Sequence, residues 1–257
     1  MYSLKDKIVL ITGASSGIGE AAARAFAVQG CRLILSARRI ERINSLAAEL
    51  TSEYGIDTHS IQLDVRDQKA VEKAISQLPD KWSSIEVLVN NAGLSRGLDK
   101  LQEGKIDDWD EMIDTNIKGL FYMSRAVLPG MIERGAGHVI NIGSIAGHEI
   151  YPAGGVYCAT KHAVKAISKS MRLDLLGTPL RVTCVDPGMV LTEFSIVRFH
   201  GDEKRADMVY EGLKPLSPDD VADAIVYCAT RPAHVNIDDL LIMPQAQAST
   251  TMVNREK

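Results

Sequence analysis

The stretch Asn141–Met171 brings a hydroxyl, a phenol and a primary amine into one neighbourhood. Tyr157 and Lys161 are four apart in a helical pattern, so they share a face about one turn apart. An ammonium beside a phenol favours the phenolate, which predicts a Tyr157 pKa lowered from its ordinary value near ~10 toward working pH. Ser144 ends a short apolar run (HVINIGS) and can hydrogen-bond a carbonyl oxygen or an alkoxide. Around one oxygen these groups form a proton-transfer site in need of a hydride acceptor. Alone, a Tyr/Lys pair at this spacing is also common on helix surfaces, so its meaning rests on the elements around it.

The first of those elements is Lys7–Thr12 (KIVLIT), an apolar, β-branched run suited to a strand buried on both faces. It enters a turn containing Gly13, Ser15, Ser16, Gly17, Ile18 and Gly19, then a helical stretch from Glu20 to Gln29. Strand, glycine turn and helix are the context of a dinucleotide site: glycines let the backbone approach a pyrophosphate, and the helix N-terminus favours its charge. The spacing is G-x-x-x-G-x-G, not G-x-G-x-x-G. A second strand, Arg32–Ser36, ends in Ala37-Arg38-Arg39. An acidic residue there would hold a ribose 2′-hydroxyl, whereas guanidinium pairs with a 2′-phosphate. Arg38 and Arg39 could simply begin a solvated helix, but with no Asp or Glu before Glu41 the reading is NADP(H).

A helix over 40–54 stops at Gly55, and a third strand, Thr58–Leu63, leads to Asp64 and Val65, where a carboxylate could accept from an adenine amino group. Asp67 reads as the N-cap of a helix over 68–78. The fourth strand, Ile85–Val89, runs into Asn90, Asn91, Ala92 and Gly93, small residues suited to a backbone passing close to a ligand. One long helix is expected over 107–134, kinked near Pro129, with Asn116 in its middle, where an asparagine is usually a surface residue. A sixth strand, Leu180–Val185, enters Pro187, Gly188, Val190 and Thr192. The segment at about 189–215 mixes Phe194, Phe199 and Tyr210 with many charges and reads as a substrate lid. Ser217-Pro218-Asp219-Asp220 starts another helix, and 239–243 can close the sheet edge. Strands and helices alternate throughout, predicting one α/β domain over 1–257: a Rossmann-like, doubly wound parallel sheet of about seven strands flanked by helices.

The bulk numbers narrow the partners. Hydrophobic content of 46% and charged content of 24% describe an ordinary globular chain. A net charge of −4 argues against nucleic acid. No apolar run reaches the ~18 residues of a membrane span. The amino-terminal residues enter a strand almost at once, which leaves no expected secretory signal. Cys31, Cys158, Cys184 and Cys228 are far apart and the histidines scattered, so reduced thiols, a cytoplasmic location and no metal are expected.

Taken in order, TGASSGIG (12–19), Asp64, NNAG (90–93), Asn116, Ser144, YCATK (157–161) and PGMVLT (187–192) resemble the short-chain dehydrogenase/reductases over nearly the whole chain. The resemblance implies that Tyr157 is the general acid/base and that Lys161 lowers its pKa and holds the nicotinamide ribose. Ser144 orients the reacting oxygen, and Asn116 links the lysine to a proton-relay water. Asn90 and Gly93 lie along the cofactor, and the 187–192 turn holds the nicotinamide. A basic residue at Arg38 marks NADP preference, while Ser16 stands where a second basic mark would be. The second half, with TEFSIVRFHGD (192–202) and LLIMPQAQAS (240–249), is similar to NADP-dependent 3-hydroxy acid dehydrogenases, also described as serine or L-allo-threonine dehydrogenases. That implies hydride transfer between NADP(H) and a small 3-hydroxy acid of the serine or malonic semialdehyde type. Arg198 is a candidate carboxylate partner, though a solvated loop arginine fits the sequence equally well. The family also implies a homo-tetramer built by the helices carrying Asn116 and Tyr157. Ala159, Ala163 and Ala166 permit close helix packing, within one chain or between copies. Other readings are a broad carbonyl or 3-oxoacyl thioester reductase and, from another class, an NADP-sensing binding protein; the full Asn116, Ser144, Tyr157, Lys161 set weighs against a sensor.

Overall fold

The structure is a computed structural model and describes residues 2–256. The apolar runs form seven parallel strands: β1 (Ile8–Thr12), β2 (Arg32–Ala37), β3 (Thr58–Gln62), β4 (Ile85–Asn90), β5 (His138–Ile142), β6 (Arg181–Pro187) and β7 (Asp239–Ile242). They lie in the order β3-β2-β1-β4-β5-β6-β7. The helices are α1 (Gly17–Val28), α2 (Ile40–Tyr54), α3 (Gln68–Ser76), α4 (Asp80–Ser83), α5 (Ile106–Ile113), α6 (Leu120–Arg134), α7 (Gly155–Asp174), α8 (Phe194–Arg198), α9 (Glu203–Met208) and α10 (Pro218–Ala229).

Alternation along each strand divides the core in two. Val9, Ile11, Leu33 and Leu35 pack against Ala22 and Phe26 of α1, Ile43 of α2 and Ile225 of α10. Ile8, Leu10, Ile34 and Leu88 pack on the other face against Val71 of α3, Met123 and Met131 of α6, and Val164 of α7. Both faces of a parallel sheet are thus covered, as its hydrophobic strands require. Strand order reverses between β1 and β4, and a crevice opens beyond their carboxyl ends.

Several boundaries differ from the sequence reading, each for a local reason. Helix α1 starts at Gly17, not Glu20, because Ser16 is extended and Gly17 takes φ +56°, so the binding turn and the first helical turn are continuous. The segment expected as one helix over 107–134 carries a π-helical stretch, Asp114–Gly119, between α5 and α6. Pro129 lies inside α6 without ending it. Strand β5 stops at Ile142, leaving Gly143 and Ser144 beyond it. Asp67 and Ser217 cap their helices as expected, the latter with a capping box closed by Asp220.

Candidate active site

The crevice is a cleft of about 730 Å³. Its nucleotide-side wall starts at the glycine turn. Gly13 and Gly17 both hold positive φ. A Cβ on Gly19 would lie 2.4 Å from the Gly13 carbonyl, so Gly19 serves the packing of the turn and stands behind the cleft wall. Thr12 fastens the turn to the end of β4, its hydroxyl accepting from the backbone N–H groups of Asn91 and Ala92, each at 3.0 Å. Gly13, Ser15, Ser16, Gly17 and Ile18 line the cleft, with Ala92 and Gly93 opposite.

At the end of β2, Arg39 reaches back to the turn, donating to Ser15 Oγ (3.2 Å) and Ser16 Oγ (2.7 Å). Arg38 also lines the cleft but lies 3.8 Å from Glu111. Two guanidiniums and two hydroxyls thus converge beside the strand end, a donor set matched to a phosphate. Glu193 shares this corner, pairing with Arg39 (2.9 Å) and Arg42 (2.7 Å). Asp64 and Val65 line the adenine end, but the Asp64 carboxylate is already held by Arg66 at 2.6 Å. Burial alone would raise this carboxyl; the Arg66 contact holds it below the usual carboxylate value.

The chemical end is built by β5, β6 and α7. Tyr157, Lys161 and Ser144 converge there, all buried. Ser144 caps the short 3-10 turn Ile145–Gly147, its Oγ accepting from Ala146 N at 3.1 Å. Lys161, 7% exposed, donates to the Ile142 carbonyl at 2.9 Å, and its Nζ lies 5.9 Å from the Tyr157 ring centroid. Burial pushes the Lys161 ammonium down to about 8. Burial also raises the Tyr157 phenol above its ordinary value of 10.0. The groups pulling it back are Arg198 and then the Ser144 hydroxyl. The expectation of an acidic phenol made so by Lys161 is therefore corrected for the chain alone: solvent exclusion dominates, and the principal opposing cation is Arg198.

Arg198, in α8, belongs to this wall. Its guanidinium is 5.2 Å from the Tyr157 ring centroid and 5.0 Å from Phe194. It donates to Ser95 Oγ (3.1 Å) and Tyr151 Oη (2.9 Å). Among the described residues it forms no ion pair with a carboxylate. The segment around it is tied down on both sides: Gly97 N donates to Arg198 O (2.8 Å), Arg96 to Val197 O (2.6 Å), and Tyr210 Oη to Val190 O (2.8 Å). Pro187, Gly188, Val190 and Thr192 lead into it along the cleft.

Besides Gly19, two expected site residues stand outside the cleft. Asn90 binds β4 to its neighbours, donating to Ser124 Oγ (3.0 Å) and Asn141 Oδ1 (2.9 Å); Asn91 lines the cleft in its place. Asn116, in the π-helical stretch and only 2% exposed, is not a surface residue. Its amide donates to Leu94 O (2.8 Å) and Thr160 Oγ1 (3.0 Å), while its oxygen accepts from Leu94 N (2.9 Å), so the side chain fixes the loop after β4 against α7. The sequence reading missed Tyr151 and the carboxyl-terminal segment, from which Gln247, Thr250, Val253 and Arg255 line the cleft. That segment has no periodicity to mark it; only its placement, with Gln247 Oε1 accepting from Met189 N at 2.8 Å, reveals it.

The fit of a dinucleotide is thus visible in the chain itself: a glycine cradle that side chains would fill, a cationic corner, and a hydroxyl, phenol and amine at the far end. Residues 7–202 match the short chain dehydrogenase family. The chain is 50% identical to the NADP-dependent 3-hydroxy acid dehydrogenase YdfG of Shigella flexneri, over 94% of this chain and 96% of that one. It is 49% identical to sulfoacetaldehyde reductase 2 of Chromohalobacter salexigens, over 97% and 99%. Its structure matches the closed form of serine dehydrogenase complexed with NADP+ with a TM-score of 0.90 at 47% identity, covering 97% of this chain and all of that one.

Proposed function

The chain belongs to the short chain dehydrogenase family, and from that premise we propose that it transfers a hydride between NADP(H) and a small 3-hydroxy acid or the matching 3-oxo acid. When bound, NADP(H) supplies or accepts the hydride. Gly13, Ser15, Ser16, Gly17 and Ile18 would hold its phosphates, Arg39 with Arg38 the 2′-phosphate, and Val65, Ala92 and Gly93 its adenosine side. The Pro187–Thr192 turn and Lys161 would hold the nicotinamide end. Tyr157 gives its proton to the developing alkoxide in reduction and takes it back in oxidation. Ser144 donates a hydrogen bond to that oxygen, and the Lys161 ammonium favours the phenolate left behind. Asn116 acts by fixing Leu94 and Thr160 behind the site.

The observation that carries the substrate class is Arg198: a partly buried guanidinium facing Tyr157 without a protein carboxylate of its own. A half-buried cation with only hydroxyl partners favours an anion, and the substrate can provide it. In a 3-hydroxy acid the carboxylate sits one carbon from the reacting centre. Sulfoacetaldehyde, named in one relative, places a sulfonate at the same separation. A neutral carbonyl of equal size lacks this contact. Arg198→Ala is expected to raise KM for 3-oxo acids by about tenfold or more, the worth of a charge-assisted hydrogen bond, and to leave neutral aldehydes little changed. Equal effects on both, read by NADPH absorbance, would retire Arg198 as the anion partner.

Two further properties follow the same reading. Four unpaired, buried cysteines support a reducing compartment, hence the cytoplasm; no helix among the described residues is long and apolar enough to cross a membrane. The exposed Ala159 and Ala166 of α7, beside half-buried Ala163, support a homo-tetramer in which α7 packs against its copy. Exposed Phe121 on α6 and Ile113 on α5 extend that apolar face.

A further inference from the structure

The proton-transfer scheme leaves one buried group unused. Asp186, next to last in β6, is enclosed almost completely. Its Oδ1 accepts from the backbone N–H of Ser144 (3.0 Å) and from Cys184 Sγ (3.2 Å). This approach exists only because residue 143 is glycine, where a Cβ would lie 1.7 Å from Asp186 Oδ1. On its other side, Asp186 Oδ2 is 2.8 Å from His148 Nε2. His148 Nδ1 is in turn 2.8 Å from Lys165 Nζ, and that ammonium pairs with Asp239 at 2.7 Å.

With Asp186 ionised, the shorter contacts set the order of donors and acceptors in this row: Lys165 Nζ lies 2.8 Å from His148 Nδ1 and 3.2 Å from Nε2. An ammonium has only protons to give, so His148 Nδ1 accepts from Lys165, which leaves the ring proton on Nε2. Nε2–H then donates to Asp186 Oδ2, and Asp186 Oδ1 receives Ser144 N–H. The row runs from the half-exposed Lys165, one helical turn beyond Lys161, to the backbone of Ser144. The Lys165 ammonium supplies the cation that His148, Asp186 and Asp239 would otherwise attract, so the trio reads as a closed ion network and not as a metal site.

Resting on the Ser144–Tyr157–Lys161 reading above, we propose that Asp186 and His148 are positioning residues that hold Ser144 for catalysis. Ser144 is held at two points: from below by Asp186 on its N–H, and at Oγ by Ala146 N. Both contacts fix where its hydroxyl points. The last backbone bond from this end of β5 to β6 is Gly143 N to Val185 O at 2.8 Å, and at the next residue the Asp186 side chain takes the place of a strand partner. The groups facing the pair are Lys165 and Lys161 from α7, Cys184 from β6 and Asp239 from β7. Burial raises the Asp186 carboxyl, whereas Asp239, which burial alone would also raise, is held below the usual value by the Lys165 ammonium. The Asp186 charge also supports the ammonium form of Lys161.

The test compares two substitutions of His148 in the full chain, with NADPH binding and thermal melting measured on each. His148→Gln can still donate to Asp186 and accept from Lys165; His148→Leu can do neither. His148→Leu is expected to lower kcat by about tenfold or more, the cost of breaking a charge-assisted hydrogen bond, with NADPH affinity unchanged, while His148→Gln recovers most of the loss. Asp186→Asn should reproduce the loss, because its amide nitrogen must meet a donor on one side, His148 Nε2–H or Ser144 N–H, and adding His148→Leu to it should cost little more. Leu and Gln variants alike in kcat, or losses that simply add or that follow the fall in melting temperature, would overturn the proposal. Tyr157→Phe in parallel separates the two levels. A silent Tyr157→Phe with unaffected His148 and Asp186 variants removes only the positioning role, whereas an active Tyr157→Phe removes the reading beneath it.

Discussion

At Tyr157, burial and charge act on the same proton in opposite directions. Solvent exclusion raises the phenol, and Arg198 and Ser144 recover only part of the shift. The phenol is therefore protonated at neutral pH in the chain alone, ready to donate to a carbonyl as it is reduced. Oxidation needs the phenolate. The sign follows: carbonyl reduction should fall as pH rises into the alkaline range, and alcohol oxidation should rise over the same range. Rate profiles in both directions check this, and two profiles rising together would exclude Tyr157 as the shared proton carrier. Lys161 predicts a second pH effect. Its pKa falls from 10.5 to about 8 on burial, so between those values the unfolded chain binds more protons than the folded one. Its contribution to stability then rises with pH across that window. Denaturant unfolding of wild type and Lys161→Met should show a difference that changes over the window and is flat below it.

At the scale of elements, the glycine turn and the end of β2 act as one device. Arg39 is hydrogen-bonded to both serines of the turn, so a phosphate placed there meets guanidinium and hydroxyl together. Arg39→Ala is expected to weaken NADPH binding by about tenfold or more and to leave NADH binding nearly unchanged. Parallel titrations by fluorescence check it, and equal losses for the two coenzymes would mean that Arg39 does not read the extra phosphate. The strand-turn-helix pattern and the arginines were legible because each is a local signal: β-branched runs, glycine spacing, the absence of an acid. Asn116 was legible only through the family resemblance, because the π-helical stretch that holds it adds a residue to a turn and an α-helical reading of the pattern does not follow that shift. Glu193 was equally hidden, since its partners Arg39 and Arg42 are far away in sequence. Resemblance pointed to Arg38 as the NADP mark; both arginines line the cleft, and Arg39 is the one hydrogen-bonded to the serines of the turn.

For the whole molecule, one continuous cleft joins the amino-terminal glycine turn to the carboxyl-terminal segment. The alternation of strands and helices made the sheet legible, but no pattern announced that Gln247, Thr250 and Arg255 return to line the cleft. That closure depends on tertiary contacts alone. Exposed Leu173, Leu176 and Phe121, at 69%, 85% and 49%, lie on α7, its end and α6, the helices that would meet in the proposed tetramer. Ala166→Arg, which places a charge in a closely packed helix contact, should shift the assembly to smaller species in light scattering; an unchanged mass would locate the interface elsewhere. The most direct measurement is NADPH absorbance with a 3-oxo acid such as malonic semialdehyde, comparing wild type with Tyr157→Phe after coenzyme binding has been verified for both. Turnover should fall by about a thousandfold with NADPH still bound, within the range for loss of a general acid. Turnover near the wild-type rate in Tyr157→Phe would contradict the assignment of the proton to this phenol.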